Sequence, residues 1–238
     1  MFKKIWRFIW EAVLFFFVST ILAVIIFRFV PIPVTLLMLE RCVQQKMDGK
    51  EMKLQKQWVP LAQISNHLQL AVFASEDQNF LWHHGFDLEA IQKAIAYNEK
   101  QEKRKHPRVR GASTISQQCA KNAFLFPSRN FIRKGLEVYF TGLIELFWGK
   151  KRIMEVYLNI IEMGNGFYGA EAASEYYFHK HSKDITYEQA ALIAGCLPDP
   201  MKLNPANPST YLRSRQNFIL TQMNQWGGKF DFEMKETQ

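Results

Sequence analysis

An almost unbroken apolar run from Ala12 to Phe27, preceded by Lys3, Lys4 and Arg7, constrains this chain more than any other feature. Only Ser19 and Thr20 interrupt it, and short hydroxyl side chains are tolerated in a membrane helix. As a helix, Trp6 to Phe29 would cover ~36 Å, against a hydrocarbon core of ~30 Å. Trp6 and Trp10 suit one membrane interface, with Arg7 and Glu11 at the same end, and Arg28 can snorkel at the other. A cleaved signal peptide fits less well. The apolar region is long, no small-x-small cleavage site follows, and Pro31-Ile-Pro33 stops the helix instead. The basic N-terminus predicts that this end stays in the cytoplasm and that the domain lies outside, although Arg28, Arg41 and Lys46 weaken the asymmetry.

About 200 residues remain after this segment, enough for one domain with a sizeable core. A hydrophobic content of 48% is too high for disorder. The net charge of +8 fits a solvated basic surface, an anionic membrane, a phosphorylated substrate or nucleic acid. Cys42, Cys119 and Cys196 lie far apart and form no Cys-x-x-Cys pair, which leaves them as free thiols and gives zinc no support. The expected organisation is a cytoplasmic tip and anchor over 1–30, a linker over 31–60, and an extracytoplasmic domain over 61–238.

Helical spacing dominates from residue 61 onward. Ser65 and Asp87 can each cap a helix, and Ser113 or Thr114 can cap a third. Residues 99–110 read as a basic loop. Further helices are expected at 131–147, 150–163, 187–197 and 209–226, with glycines 164, 166 and 169 breaking the pattern. Strand signals are sparse, so the chain reads as a mainly α globule on a single anchor.

Four polar constellations stand out. In the stretch from Gly111 to Asn122, Thr114, Gln118, Lys121 and Asn122 fall on one helical face, with Ser113 and Gln117 as an adjacent pair. Such a stripe lines a sugar or phosphate groove, or is a solvated face. In the run from Glu76 to Gly85, Glu76 points toward the buried face of the preceding helix. A desolvated carboxylate there holds its proton more tightly and suits a general base; a solvated carboxylate or a lysine partner is the plainer alternative. His83 and His84 lack spaced metal partners, so a structural histidine is the simpler reading. Arg133, Lys134 and Glu137 sit at i, i+3 and i+4 spacing, giving either a surface ion pair or an anion site with a carboxylate beside it. Glu155 and Asn159 read as structural. Gly164 to Gly169 matches Gly-x-Gly-x-x-Gly but follows a helix rather than a strand, which argues against a dinucleotide.

Taken together and in this order, these segments resemble the peptidoglycan glycosyltransferases in their monofunctional, membrane-anchored form. Glu-Asp-x-x-Phe-x-x-His-x-Gly matches 76–85, and Gly-x-Ser-Thr-x-x-Gln-Gln-x-x-Lys-Asn matches 111–122. Arg-Lys-x-x-Glu matches 133–137, Lys-x-x-Ile-x-Glu-x-Tyr-Leu-Asn matches 150–159, and a Tyr-Gly…Ala-Ala…Tyr-Phe-x-Lys pattern matches 168–180. The resemblance covers roughly 60–210. Cys119 departs from a position that is usually aliphatic, and 138–144 is less Ala-rich than the pattern.

The resemblance implies a lysozyme-like helical fold and polymerisation of lipid II into β-1,4-linked glycan with release of undecaprenyl diphosphate. It implies Glu76 as general base and Glu137 near the departing diphosphate, directly or through a divalent cation such as Mg or Mn, with no organic cofactor. Lys121, Arg133 and Lys134 would neutralise the diphosphate. Ser113, Thr114, Gln117, Gln118 and Asn122 would position sugar and phosphate, with Asp77, Phe80 and His83 in the same substrate-binding group. The expected partners are lipid II, the growing strand, the membrane and other wall-synthesis or division proteins, but no nucleic acid. The expected place is the periplasmic side of the bacterial inner membrane. Phe124, Leu125, Phe126 and Phe131 are candidates to bring the cleft down to the bilayer. No serine is followed three positions later by lysine, so the penicillin-binding acylation motif is missing, and no transpeptidase domain is expected. The alternatives are a lytic muramidase-like enzyme, which has no use for the anion site, and a non-catalytic wall-assembly scaffold, which needs neither carboxylate.

Overall fold

The computed structural model describes residues 2–102, 111–128 and 130–234. Its first helix, α1 (Phe2–Phe29), is the apolar run. The Thr20 hydroxyl bonds back to the Phe16 carbonyl at 2.7 Å, which satisfies a polar group that lipid could not. Pro31 and Pro33 end α1. Next come α2 (Leu36–Met47) and a two-residue strand β1 (Gln55–Lys56). The helices of the main body follow as α3 (Asn66–Glu76), α4 (Leu88–Glu102), α5 (Ile115–Phe124), α6 (Phe131–Phe147) and α7 (Gly149–Ile160). A small hairpin, β2 (Glu162–Gly164) and β3 (Phe167–Tyr168), leads into α8 (Ala170–Phe178), α9 (Tyr187–Cys196) and α10 (Thr210–Gln225).

The caps are those that side-chain chemistry favours. Ser65 accepts from His67 N at 3.2 Å, Asp87 from Ala90 N at 2.7 Å, and Asn130 from Arg133 N at 2.7 Å. The segment expected as a linker is more ordered than its weak periodicity implies. Thr35 caps α2, Met38 and Gln45 of α2 are buried, and β1 pairs in parallel with β3 at Gln55–Phe167 and Lys56–Tyr168. The basic loop expected over 99–110 is helical as far as Glu102, and its remainder lies outside the described residues.

The glycine-rich run makes the β2–β3 hairpin rather than a phosphate loop. Gly169 sits at φ +84°, and a Cβ there would come within 2.6 Å of the Asn159 carbonyl. The core lies where α9, rich in alanine, lets α3 and α10 approach closely. Leu68 to Ala74 of α3 are all buried, and so are Ala190, Ala191, Ile193 and Ala194 of α9.

The membrane helix is built into this body. Tyr139 of α6 lies 2.9 Å from the Thr20 hydroxyl, and its ring packs against Phe16 and Phe17. The Trp148 indole donates to the Val24 carbonyl at 2.7 Å. Arg152 donates to the carbonyls of Phe27 and Val30, at 2.8 and 2.7 Å, and Lys56 to that of Ile32 at 2.6 Å. Of the apolar residues expected to meet the bilayer, Phe126 and Phe131 are exposed, Phe131 by 96%. Phe124 instead stacks on Phe140 at 4.7 Å, and Leu125 is buried, because both belong to the contact between α5 and α6.

Trp148→Phe keeps a ring but removes the donor to Val24. The expected cost is about 1 kcal/mol, or a fall of about 2–4 °C in the thermal midpoint in detergent. An unchanged midpoint would show that this bond does not secure the anchor.

Candidate active site

Helix α3 ends at Glu76, and Asp77 turns the chain out of it with φ −161°. The buried Asp77 carboxylate accepts from Ile115 N at 2.9 Å and from His83 Nε2 at 2.9 Å. It therefore ties the end of α3 to the first residue of α5. Nδ1 of His83 accepts from Gly85 N at 3.0 Å, which leaves Nε2 to carry the proton toward Asp77. The Gly85 carbonyl then accepts from Thr114 Oγ1 at 2.7 Å. Gly85 has φ +91°, and a Cβ there would sit 2.7 Å from Thr141 Cγ2 of α6. Phe80 is fully buried, with Lys150 Nζ 4.8 Å above its ring. That ammonium donates to the His83 carbonyl at 2.6 Å and to Glu145 at 2.7 Å, and Ser116 also donates to Glu145.

Residues expected to form one ligand-facing stripe on α5 divide into two groups. Thr114 and Gln117 form the helix's capping box, with Gln117 N on Thr114 Oγ1 at 3.1 Å and Thr114 N on Gln117 Oε1 at 3.1 Å. Both side chains are buried in that role. Asn122 is also buried, donating to the Gln118 carbonyl at 2.8 Å. Ser113, Gln118 and Lys121 remain accessible. Gln118 Nε2 donates to Glu76 Oε2 at 2.9 Å, and Gln118 Oε1 accepts from Tyr157 OH at 3.2 Å.

Glu76 lines an open cleft of about 670 Å³ together with Gln78, Asn79 and Ser113. Part of the lining comes from α10 and its C-cap, through Phe218, Gln222 and Trp226. Gln78 Nε2 donates to Gln222 Oε1 at 2.9 Å, and Trp226 stacks on Trp82 at 5.6 Å. These α10 residues were missed in sequence, although their i, i+4, i+8 spacing places them on one helical face. Burial raises the proton affinity of the Glu76 carboxyl. The Gln118 hydrogen bond and the Arg215 charge oppose that rise, and the neighbouring Asp77 charge adds to it.

A second cluster sits on α6. Glu137 is buried and accepts from both Arg133 and Lys134 at 2.5 Å. Arg133 Nε is enclosed without a hydrogen-bond partner among the described residues. Packing of α5 on α6 brings Lys121 to the same group. Burial lowers the proton affinity of its amine; Glu137 opposes this, while Arg133 and Lys134 add to it. Three cations thus surround one carboxylate, an arrangement that favours an anion. Glu155 and Asn159 lie elsewhere and hold backbone: Leu61 N bonds to Glu155, and Val59 is held through both its N–H and its carbonyl by Asn159.

A membrane-anchored, lysozyme-like helical body with an acidic cleft and a neighbouring cation cluster is the architecture of a glycosyl-transferring enzyme. The chain belongs to the transglycosylase family, whose sequence model matches residues 43–224. It is 54% identical over 222 residues to a biosynthetic peptidoglycan transglycosylase of Bacteroides thetaiotaomicron, covering 93% of this chain and 88% of that protein. It is 49% identical over 229 residues to one of Haemophilus influenzae, covering 95% and 92%, and 50% identical over 218 residues to one of Pseudomonas putida, covering 92% and 90%.

Gly85→Ala tests the joint beneath the site. Positive φ and the clash with Thr141 predict a loss of about 1–3 kcal/mol, measured by denaturant unfolding. A wild-type midpoint would show that the loop relaxes without strain.

Proposed function

We propose that this glycosyltransferase polymerises peptidoglycan strands from lipid II, with Glu76 as the general base. The observation that carries the reading is a carboxylate of raised proton affinity in an open cleft, joined through α5 to a cluster of three cations. Glu76 takes the proton from the 4-hydroxyl of the acceptor sugar as that oxygen attacks C1 of the donor sugar. The bond from C1 to the diphosphate oxygen breaks, the centre inverts to a β-1,4 link, and the lipid diphosphate leaves with its electron pair. Lys121, Arg133 and Lys134 meet the charge that develops on it. Glu137 acts beside the leaving group by holding Arg133 and Lys134 in place. Ser113 and Gln118 face the sugars, while Asp77, His83, Thr114 and Gln117 contribute through the joint between α3 and α5. Phe80 and Asn122 support the same wall from inside.

A divalent cation requires several oxygen ligands. Glu137 is the only carboxylate in this cluster among the described residues and is already engaged by two cations, so these residues do not fit a resident Mg or Mn. An uncharged glycosidic link would not need the cation cluster, which counts against the lytic alternative.

The substrate is membrane-bound, because burying a lipid chain is worth ~0.8 kcal/mol per CH₂. The packing of α1 on α6 supports a site held close to the bilayer, with Phe126 and Phe131 entering it. Lys3, Lys4 and Arg7 favour a cytoplasmic N-terminus, and so a domain on the periplasmic face of the inner membrane. Other wall-synthesis or division proteins are its natural neighbours.

Purified protein incubated with lipid II should yield glycan polymer on a gel, and Glu76→Gln should abolish it while leaving the thermal midpoint in place. Polymer formation by Glu76→Gln would remove Glu76 from its role. Only ionised Glu76 can accept a proton, so its raised affinity predicts that activity falls, as pH drops, above the ordinary glutamate range. An acid limb at or below that range would contradict the desolvated base. Lys121→Ala should weaken binding of a diphosphate-bearing substrate analogue by about 10–100-fold, and unchanged affinity would count against the cation cluster.

A further inference from the structure

We infer that Tyr157, a residue buried in α7, is a positioning residue that orients the Gln118 amide and through it the carboxylate of Glu76. Tyr157 is fully enclosed and lies outside the lining of the cleft. Its hydroxyl meets Gln118 Oε1 at 3.2 Å, and Gln118 Nε2 meets Glu76 Oε2 at 2.9 Å.

The direction of this chain follows from donor chemistry. An ionised carboxylate only accepts, so the amide NH₂ must face Glu76. The amide oxygen then faces Tyr157, whose hydroxyl must donate. Burial, together with the charges of Glu76 and Asp77, pushes the phenol's proton affinity well up, so it stays a donor. The result is a one-way relay, Tyr157 to Gln118 to Glu76. It holds one oxygen of Glu76 and leaves the other, which accepts no hydrogen bond among the described residues, to the incoming hydroxyl.

Without the Tyr157 hydroxyl, the amide oxygen loses its buried donor and the amide can turn over. Its NH₂ would then no longer be held toward Glu76. Gln118 is one of two groups that offset the burial of Glu76. The other is Arg215 on α10, and Asp77 beside Glu76 works against both. Loosening Gln118 must therefore raise the proton affinity of Glu76 further.

This inference rests on the reading of Glu76 as general base. The test uses the full chain in detergent with lipid II, comparing Tyr157→Phe, Gln118→Ala and the double variant, with Glu76→Gln run in parallel. Tyr157→Phe is expected to lower kcat about tenfold, the scale of one hydrogen bond, with KM within about twofold. The acid limb of its pH profile should move upward by about half a pH unit. Gln118→Ala keeps helix propensity at this half-buried position but leaves the buried Tyr157 hydroxyl without its acceptor, so its thermal midpoint is measured alongside, and it should move the limb in the same direction. The double variant should be no worse than Gln118→Ala alone, because Tyr157 acts only through Gln118. A wild-type limb in either single variant, or additive losses in the double, overturns the relay. An active Glu76→Gln would instead overturn the general-base reading, so the two failures are distinguishable.

Discussion

The structure depends on the carboxylate of Asp77. A buried charge is costly unless it is paired and hydrogen-bonded, and this one is satisfied by two donors from different parts of the chain, Ile115 N and His83 Nε2. Those bonds join the end of α3 to the start of α5. The joint then spreads: His83 receives Gly85 N, the Gly85 carbonyl receives Thr114, and Gly85 lies close against Thr141 of α6. Glu76 precedes Asp77 in sequence and Gln118 lies one turn into α5. The distance between them is therefore fixed by a bond that neither makes.

The joint also keeps the Glu76 carboxylate and the cation cluster as neighbours that form no ion pair with each other among the described residues. Helix α5 reaches both, with Gln118 bonded to Glu76 and Lys121 in the field of Glu137, Arg133 and Lys134. Each group keeps its own environment. Burial raises the proton affinity of the carboxylate, while the cations gather around one acid and retain excess positive charge. Because α6 also carries Tyr139, and Trp148 and Arg152 follow it, the helix that holds the cations is the one fastened to the membrane anchor. Arg133, Lys134 and Glu137 therefore sit on a helix that also packs against α1.

Several features were legible because they are local. The helix Phe131–Phe147 lies where its apolar period places it, and Ser65, Asp87 and Thr114 cap where their side chains allow. The raised proton affinity of Glu76 was readable from its register on an apolar helix. Other features were not. Helix α2 is not legible in the sequence because its buried face is narrow, with Met38 and Gln45 as its buried residues. Strand β1 is two residues long, and its partner lies more than a hundred residues away. The expected polar stripe on α5 overstated its reach, since helical spacing cannot tell an amide that caps its own helix, as in Gln117, from one that faces a cleft, as in Gln118.

The sequence by itself determined the membrane helix, the helical class, the capping pattern and the chemical types gathered in each constellation, because these follow from spacing, polarity and residue chemistry along the chain. Only the tertiary structure decided which polar groups are free to meet a substrate. It assigned Asp77, His83, Thr114 and Gln117 to holding the frame, left Glu76, Ser113, Gln118 and Lys121 accessible, and brought α10 into the lining of the cleft. The physical reason is that a hydrogen-bonding group satisfied inside the fold and one left open to a ligand look alike in sequence, and differ only in what is packed against them.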